Sequence, residues 1–580
     1  MAILTRRIVT LCCSVKRDIE ALSQKEYDLI VVGGGIFGIC AAWDATLRGL
    51  SVALVENHDF AHATSANCFK MVHGGIRYLQ HGDIYRVREG SRERTTFLRI
   101  APHLVDPLPI VIPTYGHGLQ GKAIIEAGKL LYDLITFDRN RGVTDPDKRI
   151  PHGEVLSRGE CLELFPGLDQ SGLTGGAVIY DGQMYSPPRL ALSFLKSAVR
   201  AGADTVNYVE ATGFLREGNR VTGVEALDLT TGNPLEIRGR VVLNAAGPWA
   251  ESLLERAARM RVDPPLAFSR DASLVVNRRL TDGYALALKT RTRDPDAVLS
   301  RGARHLFLVP WRDCTLVGVW HVVHNGHPES FSVTEEEIRA FLDEVNKAYT
   351  FAEPLSLKDV SLWNAGLTLF GNNKPGSTDL SFGKRSRIID HAKEHGIDRL
   401  ISLVGVRYTT ARGVAESAID LVLRNLGRRA TKSTTSSTPV YGGDIESFGE
   451  FCRSAIGRRP AGVGADALQG VLRNHGSEYM SVLRLTDEDP EWAETLAQSN
   501  VMKAEVVHAV RSEMALKLED VVFRRTDLGT AGHPGVEALS QCADLMAAEL
   551  GWSRSRVDSE MAQVEAVFPT HTKETERITS

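Results

Sequence analysis

Apolar residues follow two rhythms along this chain, and the switches between them mark its organisation. Residues 27–32 form a nearly continuous apolar run ending in Leu29-Ile30-Val31-Val32, the pattern of a strand buried on both faces. The run stops at Gly33-Gly34-Gly35, residues 39–48 resume at helical spacing, and residues 51–56 form a second strand-like run. This order predicts a βαβ unit. Residues 205–208, 221–228 and 235–243 read as strands separated by glycine-containing turns, with the first sheet resuming at the small-residue turn 244–249. A third return to that sheet is expected at the apolar run 400–405, followed by a helix over 413–426.

Other segments alternate in short pieces. Residues 267–276, 305–310 and 314–321 predict an antiparallel sheet on the substrate side, and an acidic first turn predicts a helix over 334–346. Residues 82–99 carry charges at helical spacing, predicting an exposed helix after the loop 61–77; the prolines of 102–113 then lead out of the first domain. Beyond the basic, Ser/Thr-rich linker 428–438, residues 465–475, 490–497, 502–517 and 536–550 have helical patterns with little strand character. Residues after about 569 are polar and read as a disordered tail.

A chain of 580 residues exceeds one compact core, and three domains are expected. The boundaries are an extension over 1–25, an oxidoreductase region over 26–427 and a helical domain over 439–570. Within the central region, 26–110, 190–250 and 360–427 are assigned to the nucleotide side, and 111–189 and 251–359 to the substrate side. A net charge of −4 argues against a general nucleic-acid binder, so attraction of an anionic substrate must come from local basic groups. The eight cysteines show no C-x-x-C spacing, which indicates neither a zinc site nor a disulfide framework and fits a reducing compartment such as the cytoplasm. No metal is expected. No apolar run is long enough to cross a membrane. Residues 1–24, basic and free of acids before Asp18, resemble a transit peptide and equally a frayed extension or a mis-assigned start, so mitochondrial targeting stays open.

The strongest chemical signal is Gly33, Gly35 and Gly38 in G-x-G-x-x-G between a strand and a helix, with Glu56 about 20 residues beyond Gly35. Gly33 permits the turn, Gly35 lets the backbone approach a pyrophosphate, and Gly38 lets helix and strand pack closely. The helix N-terminus offers N–H groups to the phosphates, and Glu56 suits a ribose diol.

Several further motifs accompany it: Ala63-Thr64-Ser65 leading to residues 70–79 (Lys70-Met71-Val72-His73-Gly74-Gly75-Ile76-Arg77-Tyr78-Leu79), Asn244 to Trp249, Pro310-Trp311, Arg407 with Thr409-Thr410, and Leu518 to Thr526. With them the chain resembles the FAD-dependent, quinone-linked glycerol-3-phosphate dehydrogenase family over most of 26–570. The resemblance implies an α/β fold: a Rossmann-type FAD-binding domain, an inserted antiparallel-sheet substrate domain and a small helical C-terminal domain. It implies FAD rather than NAD, a small phosphorylated substrate, quinone as acceptor and peripheral attachment at the inner face of a membrane; a homodimer is left open. Thr64, Ser65, Lys70, Gly74, Gly75, Gly247, Gly405, Thr409 and Thr410 are implied cofactor contacts, His73 lies by the flavin, and Arg77, Tyr78, Arg407 and Ser273 bind substrate.

The departures from that pattern are specific. The family's Ser-Gly-Val-Arg-Pro is Ala365-Gly366-Leu367-Thr368-Leu369 here, so a pocket arginine becomes Thr368. Lys-Gly-Ser-His becomes Arg270-Asp271-Ala272-Ser273, Gly-Thr-Thr-Asp becomes Gly318-Val319-Trp320-His321, and the lysine before the Thr-Thr pair is Arg407. His73, His321 and Thr368 are the catalytic candidates. His321 is readable as a general base, because imidazole titrates near neutrality, and equally as a structural sheet-end histidine. His305 and His324 read as structural, Cys40 and Cys68 as small buried hydrophobes, and Arg524-Arg525 as a solvated or domain-packing pair. Three functions follow: oxidation of sn-glycerol-3-phosphate to dihydroxyacetone phosphate, the same chemistry on another small anionic hydroxy or amino compound, and a non-catalytic flavin-binding protein.

Overall fold

The computed structural model describes residues 14–75, 78, 83–116, 122–263, 265–289, 305–324, 326–370 and 385–569. Its first sheet has six strands in the order Arg387–Asp390, Leu400–Val404, Val242–Asn244, Leu29–Val32, Val52–Val55, Asp204–Val206, parallel except at Arg387–Asp390. The predicted βαβ unit and both later returns are therefore present. One face is covered by the helices Ile36–Leu47, Pro187–Arg200 and Ala411–Asn425, through Trp43, Phe194, Ala415 and Ile419.

The other face is covered by a second sheet. Residues 221–228 and most of 235–243 do not extend the first sheet; Arg220–Asp228 and Pro234–Gly239 join Val209–Glu217 and Glu26–Tyr27 in a separate four-stranded sheet. Phe214, Val224 and Ile237 of this sheet pack on Ile30, Val32 and Ala53. Burial explains the division: Val242–Asn244 is buried at every residue, as a central parallel strand must be, whereas Pro234–Gly239 is half exposed.

The substrate side is a nine-stranded sheet that contains the predicted Ala267–Val276, His305–Trp311 and Cys314–His324, together with Val105–Tyr115 and Leu173–Met184. Val360–Phe370, assigned to the nucleotide side from sequence, pairs instead with Ala267–Val276 along its whole length. The helix Ile84–Ile100 exists, but beyond its first turn it is mostly buried. Its charges form internal ion pairs: Arg412 Nε donates to Glu93 Oε2 at 2.9 Å, and Arg94 lies 3.3 Å from Asp181. Helical charge spacing cannot distinguish a solvated face from one matched to buried partners.

The tail is helical, with Phe448–Gly457, Ala465–His475, Lys503–Glu513, Val536–Leu550 and Arg554–Val567. Its Val506, Val521 and Leu539 share a core with Ile110, Val275 and Leu316 of the large sheet. The N-terminal extension from residue 14 is docked rather than frayed: Ile19–Gln24 is helical, and Arg17 pairs with Asp228. Residues 1–13 and the tail beyond 569 lie outside the described residues. Among the described residues no helix is long and apolar enough to cross a membrane.

Candidate active site

Strand order reverses between Leu29–Val32 and Val242–Asn244, and a cavity of about 610 Å³ lies at the carboxyl ends of these strands, where open α/β sheets hold their ligands. Gly33, Gly35, Glu56, Thr64, Ser65, Gly247 and Gly405 line it, with Thr368 in its wall. Gly33 has φ +111°, and a Cβ there would stand 2.5 Å from the Ala245 carbonyl oxygen. A Cβ on Gly247, at φ +56°, would meet no atom within 4 Å and would project into the cradle. Gly38 does not line the cavity; it permits the helix to close on the strand.

Glu56 is buried, and its carboxylate accepts from Gly34 N at 2.5 Å and His58 N at 2.9 Å. Burial pushes its pKa above the usual carboxylate range, against the pull of these backbone donors. Ser65 Oγ accepts from Ile36 N at 3.0 Å, marking the helix N-terminus as the polar end of the cradle. A turn that tolerates only glycine, an acid at the second strand end and space at Gly247 together fit a dinucleotide such as FAD.

The wall containing Thr368 belongs to the large sheet. Cross-strand partners share a face, so Ser269–Thr368, Asp271–Gly366, Asp271–His321 and Ser273–Asn364 place Ser269, Asp271, Ser273, His321, Asn364 and Thr368 on one side. A Cβ on Gly366 would come within 3.0 Å of Thr64, and one on Gly318, opposite Ser273, within 2.9 Å of the Phe69 ring. This polar face therefore looks onto the 64–70 segment. His321 Nδ1 lies 2.7 Å from Asp271 Oδ1, which also accepts from Ser269 Oγ at 2.7 Å. Asn364 Nδ2 is buried without a hydrogen-bond partner. Arg270 takes the opposite side, bonding Glu337 at 2.6 Å.

His73 sits on a braced loop. Its N–H donates to Thr409 Oγ1 at 3.0 Å, its Nδ1 is 3.3 Å from Asp181 Oδ2, and Gly74 N donates to Asp181 Oδ1 at 2.5 Å. The fully buried Arg94 holds Asp181 from behind. A Cβ on Gly74 would strike Arg94 Nη1 at 2.1 Å, and Gly75 turns at φ +84°. Thr409 thus positions His73, while Thr410 Oγ1 donates to Arg407 O at 3.3 Å. The Arg407 guanidinium stacks over the Tyr78 ring at 4.9 Å and faces Glu89 at 3.8 Å, with Nε buried and unbonded. Arg77 lies outside the described residues, as does the His305 side chain. Lys70 does not line the cavity. Its ammonium rests 4.9 Å above the Trp311 ring, and burial pushes its pKa down to about 8.

Sequence reasoning missed three carboxylates: Asp181, Asp271 and Asp59. Asp59 follows the cavity-lining residues Glu56 to His58 and receives Arg525 Nη2 at 2.6 Å and Arg524 Nε at 2.6 Å. Arg524-Arg525 is therefore a buried domain-packing pair, not a solvated one. Their partners are 108, 50 and 465 residues away, so no local pattern signals them. His475, His508 and Glu513 approach one another with ligand-like spacing, but Glu513 is bonded by Arg189 at 2.6 Å and Lys196 at 2.9 Å. Two cations on that carboxylate make it an internal ion network.

Residues 28–397 match the model of the FAD dependent oxidoreductase family, and residues 433–557 match the C-terminal domain of alpha-glycerophosphate oxidase. Glycerol-3-phosphate dehydrogenase from Synechocystis is 31% identical over 559 residues, covering 94% of this chain and 97% of that protein. The mitochondrial glycerol-3-phosphate dehydrogenase of mouse is 30% identical, covering 94% of this chain and 74% of its own. The crystal structure of the Bacillus halodurans glycerol-3-phosphate dehydrogenase, complexed with FAD, superposes with a TM-score of 0.74 at 25% identity over 96% of this chain and 97% of that one. The βαβ cradle, the two matched regions and these near full-length likenesses agree, and the chain belongs to the glycerol-3-phosphate dehydrogenase family of FAD-dependent oxidoreductases.

Proposed function

We propose that the chain oxidises sn-glycerol-3-phosphate to dihydroxyacetone phosphate and passes the electrons to quinone. The supporting observation is that the dinucleotide cavity reaches Thr368, which lies on the same sheet face as His321, an imidazole bonded to the Asp271 carboxylate. Bound FAD supplies the acceptor for the hydride that leaves the substrate carbon. Gly33, Gly35 and Glu56 hold its pyrophosphate and ribose, and Thr64, Ser65, Gly247 and Gly405 shape the cavity around it. Arg407 and Tyr78, with Arg77 adjacent in sequence, form the corner for the substrate phosphate; the unbonded Nε of Arg407 suits an anion. His73 and His321 are the two imidazoles that this reading makes candidates to take the hydroxyl proton.

Thr368 favours a second reading, another small anionic hydroxy or amino substrate, because a guanidinium of the family pattern is missing there. Anaerobic mixing with glycerol-3-phosphate decides between them. Bleaching of the oxidised flavin absorbance is expected; a yellow protein that stays yellow supports the second reading. Thr368→Arg should lower KM for glycerol-3-phosphate by about tenfold or more, the worth of one charge-assisted hydrogen bond to phosphate. An unchanged KM with FAD still bound would show that position 368 does not face the substrate.

Attachment to a membrane surface belongs to the same proposal. Leu130, Leu134 and Phe137 are 65%, 72% and 78% exposed at the end of the helix Lys122–Ile135, and Ile84 and Tyr85 are exposed on the helix Ile84–Ile100. Arg88 lies 5.4 Å from the Phe137 ring, its charge paired with Asp138, so the apolar side chains carry the docking argument. Leu134→Glu with Phe137→Glu should abolish co-sedimentation with anionic phospholipid vesicles while leaving flavin content intact. Retained sedimentation would move the docking surface elsewhere.

A further inference from the structure

The site contains two His–carboxylate pairs, and they are electrostatically unlike. Asp181 faces His73 at 3.3 Å, but its charge is already matched by the buried Arg94 and by the Gly74 N–H. Such a carboxylate fixes a loop and does little to stabilise a positive imidazole. Asp271 faces His321 at the shorter distance of 2.7 Å, and its other described partner is the neutral Ser269 hydroxyl. No lysine or arginine among the described residues forms an ion pair with Asp271. Its negative charge is therefore available to an imidazolium.

The second observation is positional. Asp271 and His321 replace the glycine and aspartate of the family motifs, and Thr368 replaces the arginine. All three lie on the one sheet face that looks onto the 64–70 segment. The histidine of the Lys-Gly-Ser-His motif falls at Ser273, so this chain has no imidazole there and carries one at His321 on the adjacent strand.

Resting on the dehydrogenase reading above, we infer that His321 is the proton acceptor of this enzyme and Asp271 its positioning residue, an imidazole–carboxylate pair moved to a new strand. Asp271 accepts from Nδ1–H and so fixes the tautomer that presents Nε2 as the base, while Ser269 orients the carboxylate. As the substrate C–H bond breaks and its electron pair leaves as hydride to FAD, the O–H bond breaks, its proton passes to His321, and C=O forms. The resulting imidazolium is stabilised by Asp271. Ser269, Asn364, Thr368 and Thr64 are uncharged, and Arg270 is held on the far face by Glu337.

The test uses the full-length holoenzyme. His321 and Asp271 side chains are 33% and 22% exposed, so their substitution leaves the core intact. His321→Gln should lower the rate of flavin bleaching by glycerol-3-phosphate by about 10²–10⁴-fold, with KM little changed. Asp271→Asn should lower it by about tenfold, since the carboxylate that fixes the Nδ1–H tautomer and faces the imidazolium is gone. Asp271→Glu should recover part of the loss. The NMR resonance missing from His321→Gln identifies this imidazole without substrate, and its chemical shift should move in Asp271→Asn as the Nδ1–H bond to the carboxylate is lost.

Wild-type bleaching rates in His321→Gln overturn the inference, as does loss of bleaching in His73→Gln alone. An unshifted resonance in Asp271→Asn overturns the role of Asp271. If the wild-type protein is not bleached but the resonance shifts, the substrate reading fails while the pairing of Asp271 with His321 stands.

Discussion

Arg525→Leu should destabilise the folded protein by about 3–5 kcal/mol and release its flavin, because it leaves a buried carboxylate with half its counter-charge. Asp59 is fully buried, and Arg525 reaches both of its oxygens, at 2.7 and 2.6 Å, while Arg524 supplies a third bond. Burial alone would raise the Asp59 pKa, yet the two guanidiniums outweigh it and hold the carboxyl well below the usual range. A depressed carboxyl stabilises the fold at pH values above its unfolded pKa, and that contribution disappears as pH falls through the folded pKa. The wild-type pair is thus fully effective at neutral pH. In Arg525→Leu the folded pKa of Asp59 rises, so protonation relieves the variant in mild acid, and its deficit should be largest near pH 7 and smaller near pH 5. Urea denaturation at both values, with flavin fluorescence reporting release, tests this. A deficit independent of pH would show that lost packing rather than uncompensated charge causes the damage.

The effect on flavin follows from chain order. Asp59 ends the segment whose Glu56, Asn57 and His58 line the cavity, so a helical-tail residue braces the cofactor loop across 466 positions. The loop is also tied by Asn207 Nδ2 to Asp59 Oδ1 at 3.0 Å. Asp59→Asn combined with Arg525→Leu should recover part of the stability, because the apolar replacement then faces a neutral amide and no charge is stranded.

Gly38→Ala should yield a colourless protein. A single methyl there would sit 2.0 Å from the Gly33 carbonyl oxygen and 3.3 Å from Val31 Cγ1. The first obstacle is backbone and cannot rotate away, so the helix Ile36–Leu47 must lift from the strand that carries the turn. Overpacking of this kind costs about 1–3 kcal/mol or more, and here the strain falls on the phosphate cradle itself. Flavin content of the purified protein and its Tm measure the two consequences. Gly457→Ala is the control: it ends a helix, meets nothing within 4 Å and should change neither. A yellow Gly38→Ala protein of wild-type Tm would contradict the close approach.

The cradle is legible in the amino-acid order because its physics is local. A strand buried on both faces is written as an apolar run, a turn at φ +111° is written as glycine, and Glu56 follows on the next strand. The tail helices Ala465–His475, Lys503–Glu513 and Val536–Leu550 are legible for the same reason, each with its own periodicity, whereas the helical pattern of 490–497 forms only the short 3-10 turn Pro490–Ala493, and Phe448–Gly457 and Arg554–Val567 fall outside the legible segments. The six-stranded sheet needs only these repeated signals. The strands 220–239 are harder, since a half-buried strand reads the same whether it extends one sheet or covers another. The helix Ile84–Ile100 reads as exposed, and is mostly buried, because its charges find Asp181 and Arg412 far along the chain.

By itself, then, the sequence determined the dinucleotide fold and its cradle, which rest on short-range steric and hydrophobic rules repeated at readable spacing, while the resemblance carried by several separate motifs implied FAD and the family. The tertiary structure alone decided which carboxylate meets which cation or imidazole: Asp181 with Arg94, Asp59 with Arg524 and Arg525, Asp271 with His321. Those pairings arise from strand register and domain packing. Electrostatic energy depends on distance in space, and no local spacing encodes it across tens or hundreds of residues.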